Sequence, residues 1–246
     1  MNKLKILCIM PYYERPKMVH YALRSLENIK YENYEIAIVD DGSVKAPMRS
    51  ILNSGKYNIK NYKLYETNDS IENKLRRGST HGLFVNHALL ESDADIRMIF
   101  CDDDALYPTY LENLNEFYNK NPDIMYSYSH IVPFDPFTED PETLNENRVR
   151  EFDTRSAQNL NKTWALNPYC QVDATQVSWR RECNHRDNVY FPNVQTKDLD
   201  ASFYAEMFNR YGNCVYNGFK SCYKGFHKAQ LGNQNGADQY RSNDLE

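Results

Sequence analysis

Ile96-Arg97-Met98-Ile99-Phe100-Cys101, then Asp102-Asp103-Asp104, then Ala105-Leu106-Tyr107-Pro108, is the stretch from which the fold can be read. A short apolar run rich in Ile and Phe reads as a buried strand, and three consecutive carboxylates stand at its C-terminal end. Crowded like charges raise the pKa of at least one member unless a cation is present. Carboxylate oxygens suit hard ions such as Mg²⁺ and Mn²⁺, which bridge protein carboxylates to phosphates. In open α/β sheets ligands bind at the carboxyl ends of strands. The triplet also reads as an acidic turn capping the next helix, since Asp is a favoured N-cap residue. Position alone leaves both readings open.

The same grammar recurs on either side. Lys3 to Met10 reads as a strand that Pro11-Tyr12-Tyr13-Glu14-Arg15-Pro16 breaks, and Met18, Tyr21, Ala22, Ser25 and Leu26 recur at helical spacing up to about Ile29. Tyr34 to Val39 is a second strand ending in Asp40-Asp41-Gly42-Ser43, a carboxylate pair followed by a turn signal. A short helix near Pro47 to Asn53, a strand around Tyr62 to Glu66 and an amphipathic helix from Asn73 to Glu91 lead to the opening stretch. A helix from Thr109 to Asn119 and a strand from Ile124 to Ile131 follow it. Alternating strands and helices predict an α/β protein with a mostly parallel central sheet flanked by helices. Pro133 to Asn161 is polar and aperiodic and reads as a loop-rich insertion. Val172 to Trp179 returns as a strand and Leu199 to Tyr211 as a helix, and the tail from Gly212 onward reads as irregular.

Composition bounds the answer. The 246 residues, 41% hydrophobic and 26% charged, suit one substantial core. One domain is expected over 1–246, with a ligand-binding half at 1–108 and a second half at 109–246 that holds the insertion 133–161 and the tail 212–246. No apolar run reaches the roughly 18 residues of a membrane span. No secretory leader pattern is visible, and the six scattered cysteines form no C-x-x-C pair, so a zinc site or disulfide framework is not expected and a reducing cytoplasm is. The net charge of −5 supplies no global attraction to nucleic acid.

Two strand ends therefore carry acidic clusters, Asp40-Asp41 and Asp102-Asp103-Asp104, and a third carries Pro11-Tyr12-Tyr13. In a parallel sheet they converge on one edge. With the basic segment Lys74, Arg76 and Arg77 nearby, that edge holds what a nucleoside diphosphate needs: an aromatic face, acceptors and cations. No G-x-G-x-x-G and no G-x-x-x-x-G-K-[ST] occurs among the nine glycines, which argues against dinucleotide redox chemistry and P-loop phosphoryl transfer.

Ile6 to Tyr13, Ile38-Val39-Asp40-Asp41-Gly42-Ser43 and the Asp triplet followed by Pro108 resemble family 2 glycosyltransferases of the GT-A fold, and among them the bacterial spore-coat polysaccharide type. Asn86-His87-Ala88, Val172-Asp173-Ala174 and Asp200-Ala201-Ser202-Phe203 continue the likeness in order. The resemblance implies a nucleotide-sugar donor, UDP-linked by preference, with Mn²⁺ or Mg²⁺ on its diphosphate. It implies Tyr13 against the nucleobase, with Asp41 on its polar edge and Asp40 beside it, and Pro11 and Glu14 among the residues that bind the nucleotide sugar. Asp102 falls to the ribose and Asp103 to the metal, with Asp104 and His227 as further candidates for the metal. Asp104 is otherwise a neighbour of the site or the helix cap. The register is set by the spacing to Pro108, because the family's first acidic position would otherwise fall on Cys101. Arg76 or Arg77 takes the diphosphate.

For the general base the resemblance offers Asp200, in its Asp-Ala-x-Phe context, ahead of Asp198. The function implied is metal-dependent, inverting sugar transfer to an acceptor hydroxyl, by analogy on a glycan or polysaccharide. Transfer to a hydroxylated DNA base stands as an alternative, served by Arg148, Arg150 and Arg155 or by Arg180, Arg181 and Arg186. A non-catalytic sugar-nucleotide or glycan-binding module is the other. A nucleotidyltransferase is disfavoured because Pro11-Tyr12-Tyr13-Glu14 is no glycine-rich phosphate loop. Tyr12, Trp164 and Trp179 read as packing residues.

Overall fold

β1 (Ile6–Tyr12) is apolar along its whole length, and its surroundings explain why. Ile6, Cys8, Met10 and Tyr12 enter one buried cluster, while Leu7 and Ile9 enter a second. Successive side chains point to opposite faces of a strand, so a continuous apolar run belongs to a strand covered on both sides. β2 (Tyr34–Asp40) divides in the same way, Ile36 and Ile38 into the first cluster and Ala37 and Val39 into the second. β4 (Ile96–Ile99) lies on the other side of β1, and all three run parallel. β3 (Tyr62–Glu66) adds a parallel, half-exposed edge to β2.

The computed structural model describes residues 2–67, 81–135, 165–168, 172–192 and 199–225. Lys74, Arg76, Arg77, Trp164, Asp198, His227, Arg148, Arg150 and Arg155, with residues 136–161 of the expected insertion, lie outside the described residues.

Beyond β4 the sheet continues through β8 (Val177–Arg180), β6 (Tyr126–Phe134) and β9 (Cys214–Gly225) to β5 (Ala105–Leu106), and β7 (Ala165–Leu166) also pairs with β9. β8 is antiparallel to its neighbours, whereas β6 and β9 run parallel to each other. α1 (Val19–Glu27) and α4 (Tyr110–Lys120) cover the first face through Leu23, Leu26, Leu111 and Leu114. α3 (His81–Glu91) and α6 (Leu199–Tyr211) cover the second through Val85, Leu89, Phe203 and Met207. Short α2 (Met48–Leu52) follows β2, and α5 (Arg181–His185), which the sequence did not announce, follows β8.

Three differences from the expected elements have physical causes. β1 runs through Pro11 to Tyr12 because β4 pairs with it only as far as Ile9, so the missing Pro11 N–H falls where β2 alone is adjacent. Asp173 caps a 3₁₀ turn (Ala174–Gln176) before β8 begins. The tail after Gly212 is not irregular as far as residue 225. It forms β9, whose alternation is broken at Gly218 (φ 87°) and whose register with β6 shifts around His130. A strand with a bulge loses the period-2 signal by which strands are read.

Candidate active site

The acidic triplet is a tight turn between β4 and β5. The Asp104 N–H bonds the Cys101 carbonyl at 3.2 Å, so Asp102 and Asp103 occupy its corners. All three carboxylates are buried, with 6%, 4% and 0% of Asp102, Asp103 and Asp104 exposed. The helix-cap reading of Asp104 is corrected here. α4 begins after Thr109 without a side-chain cap. The Asp104 carboxylate instead accepts from Thr175 Oγ1 at 2.5 Å, from the Gly225 N–H at 3.1 Å and from Lys224 Nζ. It ties the turn to the end of β9 and to the turn before β8.

Two cations that the sequence reading left out face the triplet. Arg15 Nη1 lies 3.2 Å from Asp102 Oδ1 and 3.6 Å from Asp103 Oδ2. Lys224 Nζ lies 3.3 Å from Asp104 Oδ1, 3.3 Å from Asp173 Oδ1 and 3.7 Å from Asp103 Oδ1. Burial pushes the Asp102 carboxyl above its usual range, with Arg15 opposing and Asp103 adding to the rise. Burial likewise raises Asp104, with Lys224 opposing. Burial acts to lower the Lys224 ammonium, but Asp103, Asp104 and Asp173 outweigh it and hold the group protonated. β9 reaches the triplet because residue 225 is glycine: a Cβ there would stand 2.2 Å from the Asp103 carbonyl oxygen. A signal for Arg15 existed, as a basic residue in the loop that leaves β1 beside the triplet. None existed for Lys224, since its strand was not legible, and Asp173 was noted only as part of the resemblance.

The ends of β1 and β2 meet the triplet as parallel pairing requires. Tyr12 pairs with Asp40, the Asp41 N–H bonds the Tyr12 carbonyl at 2.9 Å, and the Phe100 N–H bonds that of Ile9 at 2.8 Å. The Tyr13 backbone bonds the Asp102 carboxylate, while its half-buried phenol is raised to about 12 by burial and then by Glu14 and Asp41. Asp41 is 4% exposed and accepts from Thr67 Oγ1 at 3.5 Å. Pro11 lies within β1. Tyr12 is buried and donates to the Ala46 carbonyl. Two of the expected donor-binding carboxylates spend their oxygens on the protein. Asp40 accepts from the Ser43 and Met48 N–H groups, which fixes the turn into α2. Glu14 accepts from the N–H groups of Val44, Lys45 and Ala46, which holds that loop against β1.

α6 delivers Asp200 in its first turn, where a carboxylate complements the helix dipole. Phe203 anchors the helix by stacking on Phe191 at 4.2 Å and packing against buried Trp179 at 5.0 Å. Asn86 of α3 grips the Phe191 backbone from both sides, at 2.8 and 2.9 Å. Gly82 lets α3 begin against Leu199, whose side chain would lie 2.9 Å from a Cβ. The Asp200 carboxyl is raised to about 6 by burial and then by Asp173, with the Ala201 N–H and Lys224 opposing. Asp200 thus feels Asp173 and Lys224, the pair that also faces the triplet.

Among the described residues, one group brings His, Cys, Asp or Glu ligand atoms within 4.8 Å of one another, namely Cys101, Asp104 and Asp173. Burial raises the Cys101 thiol well above its usual value, so it remains a thiol and a poor partner for a hard ion. The carboxylates are the fitting part. Asp102, Asp103, Asp104 and Asp173 supply hard oxygen ligands, and among the described residues the cations seen against them are Arg15 and Lys224, two against four carboxylates. A separate cleft of about 500 Å³ lies at the opposite sheet edge, where Lys5 pairs with Glu35 and Lys63 with Glu91. No described helix is long and apolar enough to cross a membrane.

Comparison with known proteins identifies the family and the fold. Residues 7–175 match the family described as Glycosyl transferase family 2. Comparison with curated protein sequences found no match. Among solved structures, Staphylococcus aureus TarS 1–349 in complex with UDP-GlcNAc superposes with a TM-score of 0.70 at 16% identity, over 94% of this chain and 62% of that one. The mannosyltransferase PcManGT from Pyrobaculum calidifontis, in complex with GDP-Man and Mn²⁺, gives 0.64 at 14% identity, over 99% and 61%. Glucosyl-3-phosphoglycerate synthase from Mycobacterium tuberculosis, in complex with Mn²⁺, UDP-Glc and phosphoglyceric acid, gives 0.56 at 15%, over 98% and 79%. At these identities the likeness establishes the fold, and the chain spans about 60% of the length of the first two.

Proposed function

Since the chain belongs to glycosyl transferase family 2, we propose that it moves a sugar from a nucleoside diphosphate donor to an acceptor hydroxyl, with inversion at the anomeric carbon. One observation carries this reading: Tyr13, Asp41, Asp102 and Asp103 meet at the carboxyl ends of parallel strands, and Lys224 acts on both Asp102 and Asp200. The Tyr13 ring lies against the base, Asp41 takes its polar edge, and Asp102 takes the ribose. Asp103 holds the Mg²⁺ or Mn²⁺, which when bound supplies Lewis-acid neutralisation of the departing diphosphate. Asp104 and Glu14 act by holding the site's walls together, and Asp40 by fixing the turn beside Asp41. Arg76 or Arg77 meets the diphosphate, and His227 stands as a further candidate ligand. The complexes of the structural neighbours with UDP-GlcNAc, UDP-Glc and GDP-Man support a sugar nucleotide, and two of them were captured with Mn²⁺. A UDP-sugar remains the preferred donor.

Asp200 is the general base. Its carboxylate takes the acceptor proton as that oxygen bonds to the anomeric carbon, and the bond to the diphosphate breaks with its electron pair. A carboxyl raised to about 6 is a stronger base than an ordinary one and is still ionised at neutral pH. The acceptor is a glycan hydroxyl. Transfer to DNA loses part of its footing, because Arg180 donates to the carbonyls of Ile124, Tyr118 and Asn121 and Arg186 pairs with Asp187. A binding module without catalysis would leave nucleoside diphosphate unreleased from every donor. Release of nucleoside diphosphate from a panel of nucleotide sugars tests the reading. Asp200→Asn is expected to bind donor and lose turnover. If Asp198→Asn does so instead, the base lies two residues earlier, and if neither does, the reading fails.

A further inference from the structure

Lys224 has no part in the reaction just described, yet its ammonium sits inside the proposed metal site. Its side chain is 6% exposed, and three carboxylates surround Nζ at 3.3, 3.3 and 3.7 Å. They come from two places distant in sequence, Asp103 and Asp104 from the β4–β5 turn and Asp173 from the cap before β8. An ammonium taken from water is costly unless paired, and here it is paired three times. A divalent ion bound to Asp103 and a neighbouring carboxylate requires oxygens at about 2.0–2.2 Å. Nζ already stands within 3.7 Å of one oxygen on each of Asp103, Asp104 and Asp173. Two cations at such separation in a buried site repel strongly, so ion and ammonium exclude each other there.

We propose that Lys224 is a built-in counter-ion that partly neutralises the metal end of the donor site, and that Mg²⁺ or Mn²⁺ enters only as this ammonium leaves the carboxylates. The inference rests on reading Asp103 and its neighbours as the site of the donor's metal. It makes metal binding weak in the free protein and stronger once a diphosphate is present, because the incoming phosphates offer the released ammonium a new anionic partner. Asp104 stays satisfied during the exchange, since Thr175 and the Gly225 N–H hold its two oxygens without Lys224. The carboxylate cluster therefore keeps its shape while its cation changes.

Calorimetric titration of the nucleotide-free protein with Mn²⁺ alone tests this. Lys224→Met, which keeps the length of the chain and removes the charge, is expected to bind Mn²⁺ at least tenfold more tightly than wild type. Lys224→Arg, which keeps the charge, is expected to bind as weakly as wild type. Equal affinity in wild type and the Met variant, weaker binding in the Met variant, or tight binding in the Arg variant would each overturn the proposal. Should the Met variant not fold, crystals of wild type grown with Mn²⁺ and UDP give the same decision. Mn²⁺ on these carboxylates with Nζ displaced supports the exchange, and Nζ still in place, or no Mn²⁺ there, refutes it. Failure here is distinguishable from failure of the function. A wild type that transfers sugar while both variants match its Mn²⁺ affinity loses only the counter-ion, whereas a wild type that processes no nucleotide sugar loses the function.

Discussion

Replacing Gly225 with alanine puts a methyl group 2.2 Å from the Asp103 carbonyl oxygen. Ordinary contact between such atoms is about 3.5 Å, so the end of β9 or the triplet turn must move by roughly 1 Å. That movement falls on the bonds that hold the turn in place, the Gly225 N–H to Asp104 at 3.1 Å and Lys224 Nζ to Asp104 at 3.3 Å, and both have little length to spare. Overpacking of this kind costs about 1–3 kcal/mol, and a buried hydrogen-bonding group left unpaired about 1–3 kcal/mol more. A total of about 3 kcal/mol lowers Tm by roughly 6–12 °C in a chain of this size. A misplacement of about 1 Å beside reacting groups also costs on the order of 100-fold in turnover. Gly218→Ala is the control, because φ is +87° there and nothing lies within 4 Å of an added Cβ. It should cost only the backbone penalty of about 1–2 kcal/mol and leave turnover unchanged. Thermal melts and nucleoside diphosphate release measure both effects. Gly225→Ala with a Tm within about 2 °C of wild type and full turnover would refute the claim that this close approach positions the triplet.

Other consequences follow from the same site. As general base Asp200 must be ionised, and its carboxyl is raised to about 6, so turnover should fall about tenfold per pH unit below that value and level off above it. A limb near the ordinary carboxylate value of about 4 would remove Asp200 from that role. Asp104→Ala should cost about 1–3 kcal/mol of stability, because it leaves the buried Thr175 hydroxyl and the Gly225 N–H without their acceptor, and an unchanged melt would show that Asp104 is no structural tie. Glu14→Gln weakens the charge-assisted bonds to the Val44, Lys45 and Ala46 N–H groups and should cost about 1–2 kcal/mol, with the loss of stability exceeding any loss of donor affinity. A variant of full stability that no longer binds donor would return Glu14 to direct donor contact.

The parallel half of the sheet was legible because burial on both faces writes itself as apolar runs, Ile6 to Met10, Ile36 to Val39 and Ile96 to Phe100. The carboxyl ends of those runs then gave Tyr13, Asp41 and the acidic triplet without reference to any contact. In the antiparallel half β6 and β8 were legible, but β5 and β9 were not, since β5 is two residues long and β9 is broken at Gly218. Lys224 was lost with β9, and with it the fact that the triplet is already partly neutralised. Arg15 was hidden for another reason, because sequence shows that it leaves β1 but not that it turns back onto Asp102. The helix-cap reading of Asp104 failed because its chain direction suggested α4 as partner, whereas its hydrogen bonds run sideways to β9 and Thr175.

The central claim is that a nucleotide sugar and a divalent ion meet at Asp103. Calorimetric titration of wild type and Asp103→Ala with UDP- and GDP-sugars, with and without Mn²⁺, tests it most directly. The account expects one donor to bind wild type tightly only when Mn²⁺ is present, and Asp103→Ala to melt near wild type while losing that metal-dependent gain. Equal metal-dependent binding in both proteins would contradict it, as would a wild type that binds no sugar nucleotide at all.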